Sequence, residues 1–180
     1  MTKIKIATEW LESCAGCHMS LLDIDERILE LLKYVEITSS PLTDLKHPPE
    51  EGVDVGILSG GIGNSDQEKK AKEMRKKCKI LVALGDCAVF GGICNLRNFF
   101  PKEEVLNRGF VETESTSKGK IPKSEVLGEL TDQVSGVNKV VKVDVYIPGC
   151  PPSADSIYYA LTELVNGRIP VLEGDLLHYD

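Results

Sequence analysis

The chain has 180 residues, a formal net charge of −7 and six cysteines, with 42% hydrophobic and 27% charged residues. This length fits one domain that can bury a core without cross-links. The acidic balance argues against a nucleic-acid partner, since phosphate binding needs clustered Lys and Arg. No run approaches the roughly 18 apolar residues of a membrane span, and the N-terminal segment has no signal-peptide core. The sequence therefore predicts a cytoplasmic protein without a membrane partner.

Five apolar segments are typical of strands, and the segments between several of them are typical of helices. The predicted strands are residues 3–8, 35–39, 53–58, 78–84 and 140–147. Apolar residues recur at helical spacing from Leu21 to Val35, Ser65 and Glu68 predict a capping box, and Ser153 is expected to cap a last helix. Because strands alternate with helices, we expect βαβ units and a mostly parallel sheet.

The segment 95–138 carries a weaker pattern than the rest of the chain. It contains a loop rich in Gly, Ser and Lys near residues 115–120, and a modest helix is predicted at 123–133. We interpret it as a less regular insertion in a single domain that spans residues 1–180, rather than as a second domain.

Four of the six cysteines follow predicted strands. Cys14 and Cys17 come after the first strand, Cys87 follows the fourth, and Cys150 follows the fifth. The carboxyl ends of parallel strands meet at one edge of a sheet, which is also where ligands bind in open α/β folds. The sequence therefore predicts a site of four thiolates at this edge.

The other two cysteines do not share this placement. Cys78 lies at the entry of a strand, and Cys94 lies beyond the turn at Gly91 and Gly92. An isolated cysteine often packs as a small apolar side chain. We expect both to be buried without a role at the site.

Cysteines in a reducing cytoplasm are expected to bind metal or take part in catalysis rather than to form structural disulfides. A [4Fe–4S] cluster is held by four thiolates. Structural zinc sites usually combine two short Cys-x-x-Cys pairs, and this chain has only one. A redox dithiol at Cys14 and Cys17 would leave Cys87 and Cys150 without a role. The spacing favours the cluster, with zinc and the dithiol as open alternatives.

Three segments carry a resemblance to a known family. They read WLESCAGCHMSLLDID from residue 10, LVALGDCAVFGG from residue 81 and YIPGCPPSADSI from residue 146. Together they resemble the cluster-binding segments of the small subunits of [NiFe] hydrogenases, most closely the cytosolic group that works with NAD(P). The resemblance extends from the first strand to about Gly167. The related subunit of respiratory complex I has adjacent cysteines where this chain has Cys14-Ala-Gly-Cys17.

The resemblance implies a flavodoxin-like, doubly wound parallel sheet with one iron–sulfur site at the carboxyl ends of its strands. One proximal [4Fe–4S] cluster would be ligated by Cys14, Cys17, Cys87 and Cys150, and no cysteine follows Cys150 in the sequence. No catalytic residue, and no activity of the chain alone, is expected.

The resemblance also implies partners. The nickel–iron centre would lie in a hydrogenase large subunit. Electrons would pass from it towards iron–sulfur and flavin subunits that reduce NAD(P)+, alone or together with ferredoxin, or would flow in reverse. FMN is expected in a partner subunit, or, as the less favoured alternative, in this one. The alternative outside this family is a standalone zinc- or dithiol-bearing redox protein with a flavodoxin-like fold.

Two further features have more than one interpretation. His18 would either tune the cluster as a hydrogen-bonding neighbour or face the partner subunit. Ser59-Gly60-Gly61 stands where members of the family it resembles often have Glu-Gly, so this chain would lack the role of that Glu. The loop from Ser59 to Ser65 lacks the full G-x-G-x-x-G pattern, which favours a turn over a flavin or anion contact.

Overall fold

The computed structural model describes residues 3–177. In chain order its strands are β1 (Ile4–Trp10), β2 (Val35–Ser39), β3 (Val53–Ser59), β4 (Ile62–Asn64), β5 (Cys78–Leu84), β6 (Leu130–Ser135) and β7 (Val145–Ile147). Five of them form a parallel sheet in the order β2-β1-β3-β5-β7, and β4 pairs with β6 in a small antiparallel sheet. The order of the parallel strands is the doubly wound order of flavodoxin-like folds, which confirms the predicted fold class.

The helices are α1 (Gly16–Leu22), α2 (Ile28–Leu31), α3 (Ser65–Lys77), α4 (Asp86–Phe90), α5 (Lys102–Phe110) and α6 (Ala154–Val165). A 3₁₀ helix at Gly92–Phe99, called the 92–99 helix below, follows α4 directly. Within residues 3–177, none of the helices combines the length and the apolar character that crossing a membrane requires.

Both faces of the parallel sheet are covered, because successive side chains of a strand point to opposite faces. In β3, Ile57 packs in the core that contains Ile157 of α6, while its neighbour Leu58 packs in the core that contains Met74 of α3. A strand that is buried on both sides reads as a continuous apolar run, and this explains why β3 and β5 are recognisable in the sequence.

The helical pattern between Leu21 and Val35 does not form one helix. The chain leaves α1 after Leu22, forms a short 3₁₀ turn at Asp25–Arg27 and continues as α2. Asp25 has a φ of +62°, a left-handed conformation that an uninterrupted α-helix cannot contain. The apolar spacing therefore does indicate helical structure, but the left-handed conformation of Asp25 separates the segment into α1 and α2.

The start of α3 lies one residue before the predicted capping pair. The Asn64 side chain accepts a hydrogen bond from the Gln67 backbone N–H at 2.9 Å, and the Gln67 side chain accepts one from the Asn64 N–H at 3.1 Å. This is a capping box with Asn and Gln in the two roles, in place of Ser65 and Glu68.

The prediction of a helix at 123–133 is wrong. Residues 123–129 form no helix, and β6 pairs antiparallel with β4. The Asn98 side chain accepts from the Val134 N–H at 2.7 Å and donates to the Val134 carbonyl at 2.8 Å. These partners come from a distant part of the chain, so local propensity could not reveal them. The last parallel strand is also shorter than predicted, at Val145–Ile147.

Candidate iron–sulfur site

The four predicted site cysteines all lie beyond the carboxyl ends of parallel strands. Cys14 lies in the loop after β1, Cys17 in the first turn of α1, Cys87 in the first turn of α4, and Cys150 in the loop after β7. Cys17 and Cys87 are buried, at 8% and 7% exposure, whereas Cys14 and Cys150 are exposed. The arrangement therefore has two thiols inside the protein and two at its surface.

Hydrogen bonds tie the three cysteine-bearing segments to one another. The buried Asp86 carboxylate accepts from the Gly149 N–H at 2.7 Å, and the Asp86 N–H donates to the Gly149 carbonyl at 3.0 Å. The Ser20 hydroxyl of α1 donates to the Pro152 carbonyl at 2.5 Å. The neighbours of Cys17, Cys87 and Cys150 are thus held in one framework rather than on independent loops.

Glycine is required where the chain leaves β5 and passes the sulfur of Cys17. Gly85 has a φ of +83°, and a Cβ atom built on it would lie 2.2 Å from the Cys17 Sγ atom. Any larger residue would therefore displace the thiol as well as strain the backbone. The close approach of the Cys17 sulfur therefore explains why the LGDC segment has a glycine at position 85.

Burial and the other three thiols both affect the ionisation of Cys17. Burial, with smaller contributions from the Cys87, Cys14 and Cys150 thiols, raises the pKa of Cys17 to about 12. A thiol in such surroundings stays protonated on its own, and it becomes a thiolate when a metal compensates the charge. At the exposed end of the site, the Gly16 N–H donates to the Cys14 sulfur at 3.4 Å. The donor set is four thiols, which fits an iron–sulfur cluster.

The zinc alternative would make a different geometric demand on the four cysteines from an iron–sulfur cluster. A single tetrahedral zinc ion with Zn–S bonds of about 2.3 Å requires its ligands to converge on one point. Residues 3–177 contain no group of three or more His, Cys, Asp or Glu side chains arranged to hold one metal ion. A [4Fe–4S] cluster has one iron atom for each thiolate, so its four ligands are spaced around the cluster and do not converge on a single ion.

His18 neither faces a partner nor points to a sulfur atom. It is completely buried, and its Nε2 and Nδ1 atoms lie 3.1 Å from the hydroxyls of Thr8 and Ser59, respectively. Burial lowers the pKa of His18 to about 4, so the imidazole is neutral. The interpretation of His18 as a residue facing a partner is therefore wrong, since the buried ring joins β1 to β3 beneath α1.

Ser59 thus has a structural role as a hydrogen-bonding partner of His18. The loop that follows is filled by the chain itself, because a Cβ on Gly63 would lie 1.7 Å from the Glu12 carboxylate. Glu12 is bound into this loop through its backbone, which pairs with Gly61 in both directions. A phosphate placed there would meet a carboxylate, which disfavours the flavin or anion contact.

Cys94 is half-buried and lies beside Cys87, so the prediction that it packs as a buried side chain away from the other cysteines is wrong. Its Sγ atom lies 3.9 Å from the Cys87 Sγ atom and 3.2 Å from the Glu12 carbonyl oxygen. Burial, reinforced by Cys87, raises the pKa of Cys94 to about 12. Cys78, in contrast, is buried in the apolar core beside α3, as predicted. The only sequence signal for Cys94 is that it lies seven residues after Cys87.

Asp86→Ala is expected to lower the free energy of unfolding by about 2 kcal/mol, since the buried Gly149 N–H would lose its carboxylate partner. Urea unfolding of the purified chain under anaerobic conditions measures this change. The matched control is Asp44→Ala, which removes an exposed carboxylate from the loop after β2. Equal stabilities of the two variants would show that the Asp86–Gly149 contact does not hold the loops together.

Comparison with known proteins gives a consistent result. Residues 14–164 match the family model described as NADH ubiquinone oxidoreductase, 20 Kd subunit. The chain is 38% identical to subunit delta of the NAD-reducing hydrogenase HoxS of Cupriavidus necator, over 99% of this chain and 86% of that protein. It is 42% identical to a subunit of the F420-non-reducing hydrogenase vhu of Methanocaldococcus jannaschii, over 94% of this chain and 58% of that one. The chain therefore spans little more than half of this second relative.

Solved structures agree with the sequence relatives. A crystal structure of NAD+-reducing [NiFe]-hydrogenase in the H2-reduced state superposes with a TM-score of 0.94 at 37% identity, over 99% of this chain and 100% of the other. The [NiFeSe] hydrogenase of Desulfovibrio vulgaris Hildenborough reaches a TM-score of 0.60 at 18% identity, over 92% of this chain and 60% of that one, and shows the shared fold alone.

The chain belongs to the family described as the 20 Kd subunit of NADH ubiquinone oxidoreductase. Within that family it is a small subunit of a [NiFe] hydrogenase, which confirms the resemblance carried by the three cysteine segments.

Proposed function

We propose that this chain relays electrons between the nickel–iron site of a hydrogenase large subunit and an NAD(P)-reducing module, through one [4Fe–4S] cluster held by Cys14, Cys17, Cys87 and Cys150. The observation that carries the proposal is that these four cysteines follow the carboxyl ends of parallel strands, on segments joined by the Asp86–Gly149 and Ser20–Pro152 hydrogen bonds. The overall reaction would be oxidation of H2 coupled to reduction of NAD(P)+, or its reverse.

The residues of this chain would hold the cluster and set its surroundings. When bound, the cluster would accept and release single electrons. Cys17 and Cys87 fix its inner side, where the protein excludes water. Cys14 and Cys150 fix its outer side, which is open to a partner. The Asp86–Gly149 and Ser20–Pro152 hydrogen bonds hold the thiols in place when the charge changes.

Exposed apolar side chains on the segments that carry the cysteines support docking of the large subunit. They follow Cys17 and Cys87 in the chain and are at least half exposed: Met19, Phe90, Ile93 and Leu96, which we call the apolar rim. Large apolar side chains left exposed close to a binding site are commonly covered by a partner protein. A partner covering this rim would bring its own redox centre to the exposed side of the cluster.

The relatives support the acceptor and the other partners. The relative from Cupriavidus necator is named as part of an NAD-reducing hydrogenase, so we propose NAD(P)+ as the acceptor, reached through iron–sulfur and flavin subunits. We propose that the flavin binds in those partners, since Glu12 fills the Gly-rich loop of this chain. The complex would work in the cytoplasm, where NAD(P) is used.

The experiment that tests the proposal begins with anaerobic purification and measurement of iron, acid-labile sulfide and zinc. We expect about four irons and four sulfides per chain and an EPR signal after chemical reduction. With its large subunit bound, the cluster should also be reduced by H2, whereas the isolated chain should not respond to H2. Zinc without sulfide would instead support the standalone zinc protein, and a metal-free chain with a reversible disulfide would support the dithiol protein.

A further inference from the structure

Cys94 brings a fifth sulfur atom to the site. The 92–99 helix places its thiol 3.9 Å from the Cys87 sulfur, within the range of a hydrogen bond between sulfur atoms, and 3.2 Å from the Glu12 carbonyl oxygen. A thiol carries one proton, so it can donate to only one of these two acceptors at a time.

We propose that Cys94 donates its S–H hydrogen bond to the sulfur of Cys87 when Cys87 binds the cluster, and that this bond raises the reduction potential of the cluster. The inference rests on the proposed function, in which Cys87 is a cluster ligand. An uncharged Cys87 thiol is a weak acceptor, and the Glu12 carbonyl then competes well for the proton. A ligating Cys87 carries negative charge, and hydrogen bonds to charged acceptors are about twice as strong as neutral ones.

The expected direction of the shift follows from charge. Reduction adds an electron to the cluster and its thiolates, so a donor that points at a ligand sulfur stabilises the reduced form more than the oxidised form. Neighbours of metal ligands act in the same way at other metal centres. Cys94 is therefore a positioning and tuning residue, without a bond to iron.

The 92–99 helix is held so that the two sulfurs stay close. Its Arg97 guanidinium donates to the Thr131 carbonyl at 2.9 Å, and the Asn98 side chain is bonded to both backbone groups of Val134. At the other end, Gly92 has no side chain because a Cβ there would lie 2.7 Å from the Cys87 sulfur. The helix is anchored to β6 on one side and packed against the ligand on the other.

The test is an EPR-monitored redox titration of the assembled complex with Cys94→Ala and Cys94→Ser. We expect Cys94→Ala to keep its iron and sulfide content and to show a lower midpoint potential than the wild type. Cys94→Ser retains a donor and should lie between the two. Cys78→Ala is the matched control, since this buried cysteine packs beside α3, and its potential should equal that of the wild type.

Two outcomes would overturn the inference. An intact cluster with an unchanged or higher potential in Cys94→Ala would show that the thiol donates to Glu12 instead. Loss of iron from both Cys94 variants, with Cys78→Ala intact, would make Cys94 a ligand rather than a donor. Failure of the proposed function looks different, because the wild-type chain itself would then contain no iron and sulfide.

Discussion

Replacing Cys150 with alanine is expected to reduce iron and acid-labile sulfide from about four of each per chain to below about one. Cys150 lies at the exposed side of the site, so its removal should leave the apolar core unchanged. The buried thiols of Cys17 and Cys87 would remain in place but could not hold the cluster alone. Metal and sulfide analysis of anaerobically purified protein measures the loss, and circular dichroism checks that the chain is folded.

Cys150 is a sharper choice than Cys87 for this experiment. Cys94 lies 3.9 Å from Cys87, and a nearby thiol can take over from a deleted ligand. Cys78→Ala serves as the control, because it removes a buried cysteine from the core beside α3. Full cluster content in Cys150→Ala, or an equal loss in Cys78→Ala, would contradict the assignment of the four ligands.

Ile93→Glu is expected to weaken binding of the large subunit at least tenfold, which corresponds to about 1.4 kcal/mol, while the cluster stays intact. Ile93 belongs to the apolar rim and is 63% exposed. A carboxylate at this position would be buried without a partner when the large subunit docks, and an unpaired buried charge is costly. Pull-down of the large subunit at varied concentrations, together with iron analysis of the variant, separates docking from cluster binding.

The matched control uses the same substitution elsewhere on the surface. Ile169 is 56% exposed and lies after α6, outside the segments that carry the cysteines. Ile169→Glu should therefore leave assembly unchanged. If both variants assemble like the wild type, the apolar rim is not the docking surface, and a different face must meet the large subunit.

The fold class and the placement of four cysteines at one edge of the sheet could be predicted from the sequence because both depend on local patterns. β3 and β5 are buried on both faces, so they read as apolar runs, and each cysteine of the proposed site follows a strand. The ends of parallel strands share an edge whatever the details of packing. The structure of segment 123–133 could not be predicted in this way, because β6 is stabilised by pairing with β4 and by hydrogen bonds to the side chain of Asn98.

The sequence by itself determined the parallel sheet, the edge at which four cysteines gather and the family to which the chain belongs. Only the tertiary structure decided what surrounds those cysteines. It placed Cys94 beside Cys87, Glu12 in the Gly-rich loop and His18 between two buried hydroxyls. The physical reason is that the patterns of strands and turns depend on residues that are close together in the sequence. A contact between side chains far apart in the chain depends on how the loops pack, and loop packing cannot be predicted from a local sequence pattern.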